Sequence, residues 1–345
     1  MPCRPWAARP QPSREADCSH GKRHQACRFF FVQIAQLIVD ILFQQIINGL
    51  VQGSVYALVA LGYTMVYGIL GLINFAHGEV VMIGAMVALT VLKASLAAAV
   101  APVLAVLFSL LAAMAVCMAL GYSIERIAYR PLRNAPRLAP LITAIGVSIV
   151  LQNLAMMIWG REYHSFTLPF NSAPHQIGGA IVNDVQIGIV VVALVVMAGL
   201  MWLVNYTRMG RAMRAVAENP SAAALMGVDI NRVISVTFML GSALAAIAGF
   251  MVSANYGIVH YYMGFMLGLK AFTAAVLGGI GNLRGAVVGG VLLGLIESLG
   301  AGYIGDLTGG FLGSNYQDVF AFFVLIAVLV FRPSGLLGEK LAERA

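Results

Sequence analysis

Four polar or ionisable residues interrupt otherwise apolar sequence: Asn74, His77, Glu79 and Lys270. Ionisable groups at membrane depth are costly and tend to mark function. His77 and Glu79, within INFAHGE (73–79), are residue types that make a proton relay, because an imidazole titrates near neutrality. The same pair resembles half a metal site, but no further ligands follow at a useful spacing. Asn74, His77 and Glu79 therefore read either as a structural or gating turn or as part of a substrate path, and Lys270 reads as a candidate for the same path. Cys18, His20, His24 and Cys27 make only a weak zinc pattern, without a second ligand pair. No metal site is expected. No catalytic residue is expected either, since GxSxG, HExxH and GxGD are all missing. A phosphate-cradling loop needs GxxxxGK[ST]. The only Gly-Lys pair, Gly21–Lys22, is followed by Arg23 and lacks the upstream glycine. The chain is not an ATPase by itself, so its energy comes from a partner or from an ion gradient.

The elements that hold these residues are apolar. Of 345 residues 60% are hydrophobic and 10% charged, against roughly 25% charged in soluble domains. Residues 97–124, 138–160, 185–207 and 233–259 carry no charge over lengths that cross a hydrocarbon core of roughly 30 Å as helices. Alternating polarity, as in a membrane β-barrel, does not occur. Apolar segments at 34–53, 54–73, 79–96, 98–121, 138–160, 186–205, 232–254, 264–281, 285–300 and 318–332 predict an all-α polytopic inner-membrane helical bundle of about eight to ten transmembrane helices. Residues 36, 40, 44, 48 and 52 are all polar, and so put a stripe on one face of the first helix. That helix lies partly in the interface, or its later part lines an aqueous path.

Basic connections mark the cytoplasmic side. The 122–140 loop carries Arg126, Arg130, Arg133 and Arg137; the 205–232 loop carries Arg208, Arg211, Arg214 and Arg232; the C-terminal end carries Arg332, Lys340 and Arg344. The 161–185 and 300–318 loops are acidic or nearly neutral and fall on the other side. Ten spans would place both termini in the cytoplasm. Residues 1–33 read as a basic, disordered extension without the apolar core of an ordinary signal peptide, and 339–345 as a cytoplasmic tail. Much of the +7 net charge sits in this extension, which points to the membrane surface rather than to nucleic acid.

Residues 69–81 (ILGLINFAHGEVV) match 276–288 (VLGGIGNLRGAVV) at six of thirteen positions, a candidate internal repeat of the kind transporters use. Gly281, Gly285 and Gly289 fall at i, i+4, i+8 and predict a close helix-packing face.

Residues 208–232 (RMGRAMRAVAENPSAAALMGVDINR) are too polar to span. Asn219 suits an N-cap, Pro220 the first helical position and Gly227 the C′ position. A short helix over 221–226, presenting Ala222, Ala223 and Ala224, is expected in a basic cytoplasmic loop. Such a stiff, small-residue surface fits docking against another protein.

This loop is similar to the EAA-type coupling loop of ABC importer permeases, whose short helix seats in a cleft of the ATPase subunit. The run 48–85 (NGLVQGSVYALVALGYTMVYGILGLINFAHGEVVMIGA) resembles the first half of the branched-chain amino-acid permeases of the LivH type. The stretches 123–133, 141–153, 264–290 and 331–338 resemble that family too, so the likeness covers 34–338 and leaves out 1–33. The resemblance implies a transmembrane permease domain over 34–338, with a coupling loop at 206–232 using Glu218, Asn219, Pro220, Ala222, Ala223 and Gly227. It implies two ABC ATPase subunits carrying ATP-Mg, a second homologous permease subunit as heterodimer partner, a periplasmic substrate-binding protein, and no cofactor on this chain. The cargo it implies is leucine, isoleucine and valine. Permeases for urea or short-chain amides are close relatives. A proton-coupled secondary transporter is the alternative from another class.

Overall fold

The computed structural model describes residues 15–338 apart from 134, 137, 171–172, 308–315 and 333, with side chains from residue 39 on save a few positions. The zinc pattern in the N-terminal region, the first fourteen residues and the 339–345 tail lie outside the residues or side chains described. Among the described residues, seven helices are long and apolar enough to cross a membrane, and two shorter apolar helices accompany them.

α1 runs unbroken from Glu15 to Leu70. The expected boundary at residue 33 is therefore not a break, since residues 15–33 are helical. Hydropathy leaves 34–53 and 54–73 open as two spans or one long helix, and here they belong to one helix as far as Leu70. Gly49 and Gly53, which in water would weaken a helix, instead admit α10 (Leu283–Leu307). A Cβ on Gly53 would lie 2.8 Å from Val291 Cα, and one on Gly49 2.9 Å from Leu295 Cα. The two helices run antiparallel with backbones in near contact, as small residues permit.

Joining the two segments leaves nine apolar helices among the described residues, within the expected eight to ten, and the even number that put both termini on one side no longer follows. Gln44 settles which end of α1 is which. It donates to Ile181 O (3.1 Å) and accepts from Ile181 N (2.8 Å), within the hairpin of β2 (Pro174–Ile177) and β3 (Ala180–Asn183). The start of α1's apolar stretch thus lies at the face of the 161–185 loop, opposite the basic connections.

α2 (His77–Ala97) and α3 (Pro102–Ile124) form the next antiparallel pair. A π-helical turn (Glu125–Tyr129) and a 3-10 turn follow at the basic face. There buried Glu125 pairs with Arg133 and accepts from Ser235 Oγ (2.7 Å). α4 (Leu138–Trp159) crosses to β1 (His164–Ser165) and the hairpin, and α5 (Asp184–Tyr206) returns. α6 (Arg208–Glu218) and α7 (Pro220–Leu225) lie at the basic face. α8 (Ile230–Tyr256) crosses to β4 (Ile258–Val259), which pairs with β1. α9 (Met263–Gly278), α10 and α11 (Gln317–Phe331) complete the bundle. The apolar windows of α1 and α8 are 78% and 72% buried, whereas those of α3, α4 and α5 are only 22–28% buried. The first pair is the core, and the second group turns apolar flanks outward, as helices facing lipid or another membrane subunit must.

The two segments 69–81 and 276–288 share local features, although their asparagines are offset by one position in the alignment and their glycines meet opposite ends of α9. In each, a helix arrives at the basic face, an asparagine caps the turn, and a glycine-bearing helix returns. Asn74 Oδ1 accepts from Ala76 N (3.1 Å), and Asn282 Oδ1 accepts from Arg284 N (3.0 Å). Gly78 and Gly285 both pack on α9 backbone, against Gly264–Gly268 and Gly278 respectively.

Candidate functional site

Three of the predicted polar residues sit at the start of α2, but they face different ways. Asn74 Oδ1 also accepts from the Tyr129 hydroxyl (3.0 Å), tying the turn to the π-helical segment. His77 is buried against α1, its ring 4.8 Å from that of Tyr63 and close to Gly62, where a Cβ would strike the imidazole. Glu79 points to α4, where Ser148 Oγ (3.2 Å) and Gln152 Nε2 (2.6 Å) donate to its Oε1. Its Oε2 has no hydrogen-bond partner among the described residues. Residues i and i+2 do not share a helix face, and the structure does not bring His77 and Glu79 together as a relay. Asn74 serves the turn. Asn74→Ala removes the acceptor of buried Tyr129, and an unsatisfied buried group costs about 1–3 kcal/mol. The variant should lower the thermal midpoint of the solubilised protein more than Tyr129→Phe does. The double variant should lose less than the sum, as partners in one bond require. Strictly additive losses would contradict the shared bond.

Lys270 occupies a different place. It lies two turns into α9, with Nζ 2.6 Å from Asp318 Oδ1 on α11 and 3.3 Å from Glu297 Oε2 on α10. Glu297 is buried and also accepts from Gln52 Nε2 (3.0 Å) and the Tyr56 hydroxyl (2.7 Å) on α1. Tyr56 is fourteen residues from the end of α1 at Leu70, or about 21 Å at 1.5 Å per residue. That places the network well inside a hydrocarbon core of roughly 30 Å. Above it, toward the hairpin face, opens a cavity of about 370 Å³ between α1, α8 and α9. Gln52, Tyr56 and Lys270 line its depth, and Tyr163, His260 and Tyr262 its mouth.

Sequence reasoning found Lys270 but not its partners. Glu297 stood alone in an uncharged run and carried the same signal as Lys270. Asp318 looked like a loop residue. Gln52 belongs to the polar stripe, and its position in the cavity gives the later part of that stripe a polar setting.

The loop at the basic face is ordered by local caps. Asn219 Oδ1 accepts from Ala222 N (3.0 Å), α7 begins at Pro220, and Gly227 has φ +81° just past the Met226 C-cap. Ala222 is exposed, as expected, but Ala223 is buried against the bundle. The exposed tip instead carries Leu225 (89%) and Met226 (85%), two large apolar side chains that the small-residue reading missed. Glu218 ends α6. α6 is locked to α5. Arg214 Nη1 donates to Val204 O (3.0 Å) and Asn205 O (3.3 Å), Thr207 caps Gly210 N (3.1 Å), and a Cβ on Gly210 would strike the Leu203 and Val204 carbonyls. Met213 and Arg214 also border a crevice with Thr64, Gly68 and Ile69 at the end of α1 and with Gly281 and Leu283 at the turn into α10.

Gly281 departs from its predicted role. It precedes α10, adopts φ +96°, and a Cβ there meets nothing within 4 Å. It is a turn residue. Close packing falls to Gly285 and Gly289 on the α9 side and to Gly290 and Gly294 on the α1 side.

A bundle of apolar helices around a polar, partly charged cavity, with a stiff helix projecting from its basic face, defines a multi-pass membrane permease. Residues 45–329 match the family model described as branched-chain amino acid transport system / permease component. The high-affinity branched-chain amino acid transport system permease protein BraD of Pseudomonas aeruginosa is 47% identical, covering 87% of this chain and 97% of that protein. LivH of Escherichia coli K12, a permease protein of the same description, is 44% identical over the same shares. The autoinducer 2 import system permease protein LsrC of Klebsiella pneumoniae is 34% identical, covering 59% of this chain and 58% of that protein. The chain belongs to the branched-chain amino acid transport permease family.

Proposed function

We propose that this chain is the membrane-spanning permease subunit of an ATP-driven importer that carries leucine, isoleucine and valine across the bacterial inner membrane. The observation that carries the coupling part is the capped α6–α7 loop with Leu225 and Met226 exposed at its tip. The cargo rests on the family and on relatives whose names state it. An extracytoplasmic binding protein delivers the amino acid to the hairpin face. Two ATPase subunits bind ATP-Mg, one docking on α7 and the other on a second, homologous permease subunit, which packs against the outward flanks of α3–α5. ATP shifts the complex by binding one arrangement more tightly than the other. Because α6 is clamped to the end of α5 and borders the end of α1 and the turn into α10, movement of α7 reaches the core as a rigid displacement.

A proton-coupled mechanism through His77 and Glu79 is disfavoured by their opposed directions. Permeases for urea or short-chain amides are separated by cargo. The reconstituted complex should accumulate labelled leucine and not labelled urea; the reverse would move the chain to the amide branch.

The basic face is cytoplasmic on this reading, which puts the C-terminal end inside and the N-terminal end of α1's span outside. In spheroplasts carrying a chain whose native cysteines are replaced by serine, Val39→Cys should react with an impermeant maleimide and Leu225→Cys only after permeabilisation. The opposite pattern would invert the topology.

A further inference from the structure

We propose that the cavity above Lys270 is a binding site for the transported aliphatic amino acid, whose carboxylate is received by Lys270 Nζ. The inference rests on the proposed function and adds to it a place and a chemistry. The volume of about 370 Å³ falls within the roughly 300–1,000 Å³ of small-molecule sites. Among the described lining residues Lys270 is the fully charged one, and no carboxylate joins it. Glu297 and Asp318 stand behind the lysine rather than in the wall. The cation in the wall is thus one already paired with two carboxylates, and an anionic ligand would share it with them.

Turning Lys270 toward a ligand leaves Glu297 with its other donors. Glu297 Oε2 keeps the Gln52 amide and the Tyr56 hydroxyl as donors. Asp318 is 28% exposed as a residue, but its Oδ1, the oxygen facing the lysine, is buried, so the lysine must stay within reach of it as it turns to the ligand. The lysine adds the ligand's carboxylate to those it holds, and a charge-assisted bond at this depth is a strong one. Much of the remaining wall is apolar, with Val55, Val252, Met263, Met266 and Leu267, interrupted by Asn255 and Tyr256. Methionines adapt to differently branched side chains, which suits a site that accepts leucine, isoleucine and valine alike. At the mouth Tyr163 stacks on His260 at 4.3 Å.

The test uses the assembled complex carrying Met266→Cys, with maleimide labelling at residue 266 followed by peptide mass spectrometry. Leucine and 4-methylpentanoate should slow labelling severalfold, because both present a carboxylate and a branched chain. Leucinamide, which keeps the amine and the chain but lacks the carboxylate, should not slow it. Adding Lys270→Met with Asp318→Asn, a pair that removes one charge of each sign, should abolish protection by leucine while residue 266 still labels. The proposal is overturned if leucinamide protects as well as leucine, or if neither carboxylate protects. The leucine and leucinamide comparison needs no change at Lys270, so a variant that fails to fold does not blunt it. Uptake of labelled leucine by the same complex reads the functional proposal separately. Uptake without protection sinks the site alone, and protection without uptake sinks the transport reading alone.

Discussion

Replacing Leu225 and Met226 together by glutamate should abolish leucine uptake while the permease still folds and inserts. Both side chains stand almost fully exposed at the tip of the cytoplasmic loop. They touch too little of their own chain for their loss to destabilise it. Burying a large apolar side chain contributes about 1.5–3 kcal/mol. If both are covered by the ATPase, docking loses about 3–6 kcal/mol, or roughly a hundredfold to ten-thousandfold in affinity at 1.4 kcal/mol per decade. Co-purification of the ATPase with the permease, alongside uptake, checks this. Gly227→Val should give a milder form of the same defect. Gly227 holds φ +81°, a conformation that costs an L-residue about 1–2 kcal/mol, so α7 would be misaimed rather than stripped of its contact. Normal association and uptake in the double glutamate variant would remove α7 as the docking element.

Gly294→Leu should eliminate folded protein altogether. A Cβ at residue 294 already collides with Gly53 backbone, and one at Gly290 would come within 2.5 Å of Ala57. The α1–α10 seam has no slack. Overpacking a close contact costs typically 1–3 kcal/mol even where side chains can shift, and here the obstacle is backbone. The two helices would have to part, separating Gln52 and Tyr56 from Glu297 and leaving that buried carboxylate with fewer donors. Gly188→Leu on α5 is the control, since a Cβ there meets nothing within 4 Å. It should be tolerated. Recovery of monodisperse protein in detergent distinguishes the two, and equal recovery would contradict the packing account.

Local signals were legible and distant ones were not. The ends of α7 follow from Asn219, Pro220 and Gly227, each of which acts on its own backbone, and the structure differs from the expected 221–226 by one residue. The direction of Ala223 is not a local property. It depends on where the bundle lies beneath the loop. Gly49 and Gly53 have the helical spacing that suits close packing, and they are the notch for α10 in one long helix. Gly281 shares the period of Gly285 and Gly289, but periodicity is silent on where a helix begins, and α10 begins two residues later. The opposed directions of His77 and Glu79 were readable from their spacing alone. The Lys270 partners were not, because Glu297 and Asp318 approach from other helices, 27 and 48 residues along the chain.

The most direct test of the whole account is leucine uptake into proteoliposomes holding this chain, its partner permease and the two ATPases, with the binding protein outside. Uptake should require ATP with the ATPases and persist when a protonophore collapses any proton gradient. Uptake that proceeds without ATP and stops with the protonophore would contradict an importer driven through its cytoplasmic loop.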